Sequence, residues 1–227
     1  MFHVKPSEQQ LNQLEDYYTM LVEKNKVMNL TAITEPEEVY TKHFLDSISI
    51  CQILDLKPGT SLLDLGTGAG FPGIPIKIFY PEISVTLMDS LNKRILFLRD
   101  VCDKLGLDNT ICVHSRAEEA GKTKTYREQY DVVTSRAVAN LSSLSEYCLP
   151  FVKCGGYFIS YKSAEAKEEI SSAGKAISVL GGKIAEQKSF LLPKTEIGRT
   201  LIKIKKIKPT PGRYPRKAGT PLKEPIS

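Results

Sequence analysis

The chain has 227 residues, 41% of them hydrophobic, and no apolar stretch near the roughly 18 to 20 residues that cross a bilayer, so we expect a soluble globular protein with no membrane contact. Its five cysteines are scattered and never spaced as Cys-x-x-Cys, which argues against disulfides and a metal site. Residues 1–5 lead into no signal-peptide pattern, which argues against export, so we expect a cytoplasmic protein. The net charge of +5 is uneven, because residues 194–227 contain ten basic and two acidic residues and carry +8, which indicates either a polyanionic partner or a soluble exposed end.

Two helices are predicted before residue 60. The first begins with a capping-box pair, Ser7 and Gln10, and runs to about Lys26. Apolar residues recur along it at near-helical spacing: Leu11, Leu14, Tyr18 and Leu21. The second has Pro36 in its first turn and carries VYTKHFLDSISICQIL up to a Pro-Gly turn. We therefore expect residues 1–59 to form a helical extension that packs on the following domain.

From residue 61 onward, short β-rich runs alternate with helical segments. The strand candidates are SLLDL, SVTLMD, TICVH, YDVVTS and YFISYK, with helices predicted at Ile74–Phe79, Lys93–Leu105, Ala117–Lys122 and Leu141–Leu149. This alternation predicts a parallel sheet with crossover helices. One more helix, over SAEAKEEISSAGKAISVLG, precedes KIAEQKSFLLP and RTLIKIKKI, which predict an antiparallel hairpin at a sheet edge.

These elements define an α/β fold, with a mostly parallel seven-stranded sheet in a domain of residues 60–207. Residues 208–227 are rich in proline, glycine and lysine and are expected to form a basic irregular tail. In KIKKIK, lysines near period two predict a strand with one basic face that contacts RNA, and with Ile202, Ile204 and Ile207 towards the sheet.

The stretch LLDLGTGAGFPG, between the first strand and its helix, contains four glycines. In an open parallel sheet this turn faces the crevice where ligands bind, and glycine lets backbone N–H groups approach a ligand closely. Two patterns overlap here. Gly68, Gly70 and Gly73 satisfy the dinucleotide fingerprint of NAD-binding oxidoreductases. The run that starts at Asp64 and continues with Gly66, Gly68 and Gly70 instead resembles motif I of S-adenosylmethionine-dependent methyltransferases.

The acidic residues favour the second interpretation. Asp64 would repel a pyrophosphate, whereas it can orient the glycine loop or meet a cationic amino-acid group. Asp89 ends the next strand, where its carboxylate can accept hydrogen bonds from ribose hydroxyls. The chain shows no second nucleotide-binding half, and HSRAEE follows the third strand, where methyltransferases commonly place residues around the adenine.

Seven motifs follow one another along almost the whole chain: NLTAI, KHFLDS, DLGTGAGFPGIPIKI, DSLNKRILFL, SRAEE, SRAVANL and YPRKAGTP. Together they resemble the bacterial small-subunit ribosomal RNA guanine-N7 methyltransferases, also called the glucose-inhibited division protein B family. The resemblance implies a Rossmann-like class I methyltransferase fold, S-adenosyl-L-methionine as cofactor, and one particular guanine of 16S ribosomal RNA as target. It also implies the cofactor-binding residues Gly66, Gly68, Phe71, Asp89, Ser90, Ala117, Glu118 and Arg136.

The residues themselves also favour a guanine N7. Methyltransferases of exocyclic amines usually carry Asn/Asp-Pro-Pro-Tyr/Phe after strand four, where this chain has TSRAVANL, and pyrimidine C5 methylation needs a nucleophilic cysteine, whereas Cys148 and Cys154 are interpreted as buried structural thiols. Guanine N7 has a lone pair and no proton, so the reaction requires positioning more than a general base. Arg136, at the end of strand four, is the first candidate for shaping the site, by holding O6, a phosphate or the cofactor carboxylate.

Further candidates lie around the same crevice. Arg199 opens the last strand and Lys162 ends the fifth, and both are predicted to belong to the catalytic site. Phe71 and Pro72 can wall a pocket for a flipped-out base, or Phe71 can simply close over the cofactor. His43 is interpreted as structural, although the resemblance allows it a contact with the substrate.

The expected partner is 16S ribosomal RNA or the small-subunit ribonucleoprotein, with no DNA, and the protein is expected to be monomeric. Three alternatives stay open: a methyltransferase of another RNA or of a small molecule, an NAD-binding oxidoreductase, and a noncatalytic RNA-binding module. The last of these needs the basic tail but not the glycine loop.

Overall fold

The computed structural model describes residues 5–136 and 139–227. Ala137 and Val138, in the middle of the SRAVANL motif, lie outside the described residues, as do residues 1–4 at the start of the predicted extension. The strands are β1 (Ser61–Leu65), β2 (Ser84–Asp89), β3 (Thr110–His114), β4 (Tyr130–Arg136), β5 (Val152–Ser163), β6 (Gly182–Leu191) and β7 (Gly198–Lys206). The helices are α1 (Glu8–Met28), α2 (Pro36–Val39), α3 (Asp46–Ile48), α4 (Gly73–Phe79), α5 (Asn92–Leu105), α6 (Ala117–Ala120), α7 (Leu141–Cys148), α8 (Lys167–Ser172), α9 (Gly174–Val179) and α10 (Thr220–Lys223).

The seven strands form one sheet in the order β3-β2-β1-β4-β5-β7-β6, and β7 runs antiparallel to both of its neighbours. This confirms the predicted α/β class, the mostly parallel sheet and the C-terminal hairpin. The strand order reverses between β1 and β4, and the loops that leave the carboxyl ends of such strands surround a crevice. The glycine-rich stretch after β1 lies at this point.

Helices cover both faces of the sheet. Adjacent residues of β1 point to opposite sides, so that Leu62 belongs to the core cluster with α1, α4 and α5, while Leu63 belongs to the cluster with α7, α8 and α9. Both leucines are fully buried. A parallel sheet is stable only when both of its faces are covered in this way. None of the described helices has the length and apolarity needed to cross a membrane.

The N-terminal helices pack directly on the sheet domain. Ser7 and Gln10 form the predicted capping box, and Asn29, in a left-handed conformation, caps the C-terminal end of α1. Tyr17 and Leu21 of α1 are completely buried in the same cluster as the helices α4 and α5. This helix therefore shares the core of the domain that it covers.

The second predicted helix changes pitch along its length. After α2, the segment Tyr40–Leu45 is π-helical, α3 follows, and Ser49–Gln52 forms a 3-10 turn. The carbonyl oxygen of Lys42, inside the π-helical segment, accepts a hydrogen bond from Arg136 of β4. Such π-segments occur frequently at functional sites.

The prediction that the KIKKIK segment of β7 has one basic face is wrong. Lys205 and Lys206 are consecutive, so they must point to opposite sides of β7. Lys206 is fully buried, donates to the Leu149 carbonyl and pairs with Glu128, whereas Ile207 is exposed instead of packing on the sheet. The lysines of KIKKIK therefore do not form one basic face.

Three other details differ from the prediction. The helix expected after β5 is divided into α8 and α9 at an Ala-Gly step, because glycine is a poor helix former. Cys148 is buried as expected, but Cys154 is exposed. Residues 208–227 are mostly irregular as expected, although they include α10 and the buried Tyr214.

Candidate active site

The glycine loop after β1 is held against the end of β2 by backbone hydrogen bonds. The N–H groups of Gly66 and Thr67 donate to the Met88 carbonyl at 2.9 and 3.2 Å. The Gly68 N–H donates to the Asp89 carboxylate at 3.0 Å. Gly66 and Gly68 both have positive φ, at 70° and 62°, which is a backbone conformation that favours glycine.

Asp64 orients this loop through hydrogen bonds and does not border the crevice. Its Oδ2 accepts hydrogen bonds from Thr67 Oγ1 at 2.6 Å and from the Gly73 N–H at 2.8 Å, and its Oδ1 accepts one from Thr134 Oγ1 at 3.2 Å. Complete burial raises the pKa of this carboxyl to about 6. Of the two roles expected for Asp64, the structure supports the orientation of the loop.

Gly70 also serves packing. A Cβ atom at this position would lie 2.5 Å from Ile74 Cδ1 and 2.6 Å from the Tyr17 hydroxyl oxygen. The same hydroxyl donates to the Ala69 carbonyl at 2.6 Å, which ties α1 to the loop. Gly70 therefore lets the loop lie flat on α1 and α4, and it does not face the crevice.

The crevice is a cavity of about 470 Å³ at the reversal point of the strand order. This volume is in the range of small-molecule and cofactor sites, roughly 300–1,000 Å³. The predicted residues that line it are Gly66, Gly68, Phe71, Asp89, Ser90, Ala117, Glu118 and Arg136. Other lining residues include Thr31, His43, Arg94, Leu144, Tyr147 and Leu222.

Asp89 is the central acid of the cavity. It is 4% exposed; its Oδ1 accepts from the Leu91 N–H at 2.9 Å, and its Oδ2 accepts from Gly68 and, at 3.3 Å, from Arg94. A carboxylate offers about four lone-pair sites, so Asp89 keeps acceptor capacity for a ligand. These partners hold its carboxylate in a fixed orientation.

One buried carboxylate joins two of the predicted basic residues. Asp46 of α3 accepts from Arg136 Nη1 through Oδ2 and from Arg199 Nε through Oδ1, both at 3.0 Å. Arg136 borders the cavity, whereas Arg199 is not among the lining residues and bonds the other oxygen of Asp46. The structure therefore brings these two arginines together through a residue that the motif analysis did not single out.

His43 lies beside Arg136 in the cavity wall. Its Nδ1 accepts from Arg136 Nη2 at 3.2 Å, so the proton of the neutral ring is on Nε2, which donates to Thr31 Oγ1 at 2.9 Å. Burial and, next, the Arg136 charge lower the pKa of His43 to about 4. The ring stacks on Phe71 at a centroid distance of 4.4 Å, and the Arg136 guanidinium lies 5.1 Å from the centroid of the same Phe71 ring.

Lys162 lies outside the cavity lining. Its Nζ donates to the Ala139 carbonyl at 2.7 Å and to Glu169 at 2.6 Å. Pro72 is buried and also does not border the cavity. The catalytic roles expected for Lys162 and Arg199 stay predictions.

Motif reasoning assigned no role to several lining residues, among them Thr31, Arg94, Tyr147 and Leu222. Thr31 lies in the NLTAI motif and Leu222 just beyond YPRKAGTP, so the motifs marked the right segments without a role for the residues. Arg94 is part of the DSLNKRILFL motif, lies in the first turn of α5 and donates to Asp89 at the end of β2. Tyr147 sits in α7 with no pattern that distinguishes it from core residues.

The residues of the cavity fit S-adenosylmethionine. A Cβ atom at Gly68 would meet no atom within 4 Å, so the bare backbone leaves room for a ligand next to Asp89. The cavity also combines two carboxylates, Asp89 and Glu118, with apolar residues such as Leu144. Carboxylates suit ribose hydroxyls and a cationic amino group, and apolar walls suit a purine ring.

Comparison with known proteins agrees with this geometry. The family described as GidB, rRNA small subunit methyltransferase G, matches residues 10–197. Ribosomal RNA small subunit methyltransferase G of Alkaliphilus metalliredigens is 55% identical over 225 residues, which are 99% of this chain and 93% of the relative. The protein of the same name from Bacillus licheniformis is 56% identical over 217 residues, which are 96% of this chain and 91% of the relative.

Solved structures support the fold. The Methanococcus jannaschii fibrillarin pre-rRNA processing protein has a TM-score of 0.54 at 19% identity, over 70% of this chain and 74% of that chain. TYW2 of M. jannaschii, solved in complex with AdoMet, has a TM-score of 0.53 at 13% identity, over 66% and 71%. The sequence matches over almost the full length carry the assignment: the chain belongs to the rRNA small subunit methyltransferase G family and is an S-adenosylmethionine-dependent methyltransferase.

Proposed function

We propose that the protein transfers a methyl group from S-adenosylmethionine to N7 of a guanine in 16S ribosomal RNA. The observation that carries this proposal is that the candidate bases in the cavity wall, His43, Asp89 and Glu118, are hydrogen-bonded within the protein. A reaction at an amine or hydroxyl would need a group ready to take a proton, whereas guanine N7 has no proton to lose. The cofactor supplies an electrophilic methyl group, and the task of the protein is to hold the base in line with it.

Three titratable side chains of the described lining, His43, Asp89 and Glu118, already have hydrogen-bond partners within the protein. The two nitrogens of His43 are used by Arg136 and Thr31, and its pKa of about 4 makes the ring a weak base. Asp89 holds the glycine loop, and Glu118 Oε1 accepts from the Gly219 N–H at 3.1 Å. No cysteine belongs to the described lining, which disfavours a covalent route to a pyrimidine carbon. Positioning without a general base suits N7.

Arg136 is the group best placed to orient the guanine. Two of its contacts, to the Lys42 carbonyl and to Asp46, use Nη1, and one contact, to His43, uses Nη2. Because a guanidinium has five N–H donors, Nε–H and one Nη2–H are left for a ligand. We infer that Arg136 holds O6 or a phosphate and leaves N7 free to attack.

The basic residues near the C-terminus are divided between structure and surface. Lys206 is buried, and Arg199 and Arg216 are paired with buried carboxylates. Six of the ten remain exposed and available for phosphate: Lys194, Lys205, Lys208, Arg213, Lys217 and Lys223. This distribution supports the RNA partner through dispersed charges rather than through one basic strand.

The test is methylation of small-subunit RNA with labelled S-adenosylmethionine, in parallel on deproteinised 16S RNA and on assembled small subunits. We expect label on a guanine that becomes sensitive to borohydride and aniline cleavage, which marks N7 methylation. Asp89→Asn should remove the activity, whereas Asp108→Asn, at an exposed carboxylate of the loop before β3, should keep it. Label on an adenine amine or a cytosine would refute the N7 assignment.

A methyltransferase of free nucleosides is the alternative to exclude. It would methylate guanosine as efficiently as RNA and would be insensitive to salt, whereas an RNA enzyme loses affinity as salt rises. We also propose a monomer that acts in the cytoplasm, in keeping with five free cysteines. Sedimentation of the purified protein checks the monomer.

A further inference from the structure

We propose that the C-terminal segment 216–224, here called the strap, is a wall of the cofactor cavity, and that strap docking and cofactor binding strengthen each other. The inference rests on the proposed function only in that both concern the same cavity. It assigns the tail a role in holding the methyl donor, in addition to any contact with RNA.

The strap is fixed at its first residue by a buried ion pair. Arg216 contacts Glu146 of α7 through Nε at 3.0 Å and Nη2 at 2.7 Å, and its backbone N–H adds a third bond at 2.7 Å. Glu146 is completely buried. Nη2 of Arg216 also donates to the Glu224 carbonyl at 2.7 Å, so one guanidinium holds both ends of the strap. A bidentate pair of this kind fixes direction as well as position.

The middle of the strap contacts a residue of the cavity wall. The Gly219 N–H donates to Glu118 Oε1 at 3.1 Å, and Gly219 has a φ of 82°, a conformation that favours glycine. Two residues further on, the Pro221 carbonyl accepts from Ser143 Oγ of α7 at 2.6 Å. The strap thus bridges α6 and α7, the two helices that flank this end of the cavity.

Leu222 is the part of the strap that meets the ligand space. It borders the cavity together with Ala117, Leu144 and Tyr147, yet 55% of its surface is exposed. An exposed leucine at the rim of a pocket, beside the apolar side chains of Ala117 and Leu144, gains by contact with an apolar ligand group. The purine ring is the large apolar part of S-adenosylmethionine, so we assign this contact to it.

The coupling follows from linkage. A ligand that contacts the docked strap binds better when the strap is docked, and it must then favour docking by the same factor. Glu118 transmits the effect as well, because the same carboxylate borders the cavity and accepts from Gly219. The strap amides that report docking directly are those of Arg216 and Gly219, which donate to Glu146 and Glu118 outside the segment. The amides of Thr220, Lys223 and Glu224 donate within the segment and report its local order.

The first experiment is calorimetric titration of S-adenosylmethionine and of S-adenosylhomocysteine, without RNA. Leu222→Ala should raise both Kd values about fivefold, which corresponds to about 1 kcal/mol. The matched control is Leu191→Ala on β6, which is 57% exposed and lies outside the cavity lining, and which should change Kd less than twofold. Equal Kd values in the two variants would overturn the proposal.

The second experiment is hydrogen exchange of the unmodified protein with and without saturating S-adenosylmethionine. We expect slower exchange in both the glycine loop and the strap amides. Protection of the loop without protection of the strap would overturn the strap proposal and leave the methyltransferase function standing. Protection of neither segment, together with no calorimetric binding, would refute both.

Discussion

Asp46→Asn is the substitution that tests the arginine arrangement most directly. Asparagine keeps the size of the side chain but replaces one acceptor oxygen by an NH2 group and removes the negative charge. The carboxylate is 3% exposed, and its two oxygens hold Arg136 and Arg199. The variant therefore leaves two guanidiniums next to each other with no counter-ion between them.

The expected cost follows from burial. Removal of one partner from a buried ion pair costs about 3–5 kcal/mol. The side chains of Arg136 and Arg199 are 14% and 23% exposed, and each keeps a backbone acceptor, Lys42 or Gly198, so water and these carbonyls offset part of the loss. We expect the free energy of unfolding to fall by about 2–3 kcal/mol, on the order of a normal buried-pair loss reduced for partial exposure.

Urea unfolding and single-turnover methylation together check this reasoning. Because Asp46 does not border the cavity, the Kd of S-adenosylmethionine should change less than twofold. The transfer rate should fall about 100-fold, the typical effect of a displacement of about 1 Å at a reacting centre. Leu56→Ala, in the core and away from the cavity, is a control for lost stability alone, with an expected cost of roughly 2–5 kcal/mol. An unchanged urea midpoint, or a rate no lower than in Leu56→Ala, refutes the argument.

Three further predictions concern the glycine loop and its surroundings. Gly70→Ala should reduce the free energy of unfolding by more than about 2 kcal/mol, because the added methyl group clashes with Tyr17. Gly68→Ala places its methyl group in open space, so it should cost only the backbone strain of about 1–2 kcal/mol, and urea unfolding measures both variants. The raised pKa of Asp64 favours the neutral carboxyl in the folded state, so the wild-type protein should lose stability relative to Asp64→Asn as pH rises through the interval from 3.8 to about 6. The full loss of about 3 kcal/mol is complete only above that interval, and a parallel loss in both proteins would contradict this. The His43 ring should titrate near pH 4 and carry its proton on Nε2 at pH 7, and NMR of the ring nitrogens measures both. Titration near 6.5 would contradict the burial of the ring, and a proton on Nδ1 would show that Arg136 does not donate to it.

The sheet was predictable because local patterns suffice for it. Each strand is an apolar run bounded by turn residues, and each crossover helix has a recognisable start or stop, such as the left-handed Gly106 after α5. The lysine pattern failed because a period-two interpretation ignores that Lys205 and Lys206 are adjacent. Lys206 lies on the same face of β7 as the buried Ile202 and Ile204, so it points inward, where it pairs with Glu128, 78 residues away in sequence.

The cavity residues were predictable only where the local sequence shows their role. Gly66, Gly68 and Asp89 were found because backbone conformation and strand ends identify them. Asp46 and Leu222 were missed because their roles arise from contacts with residues 90 and more than 70 positions away, respectively. A sequence shows that such residues exist but not which side chains they meet.

The hydroxyl of Tyr17 connects helix α1 directly to the glycine loop. It donates to the Ala69 carbonyl, and its ring contacts Phe71 at a centroid distance of 5.4 Å, so any shift of α1 acts on the residues directly before and after Gly70. An enzyme trimmed to start at the first strand would keep all of motif I and yet lose the support beneath it. Helix α1 is thus a place from which donor affinity can be tuned at a distance, by substitutions or small molecules that never enter the pocket.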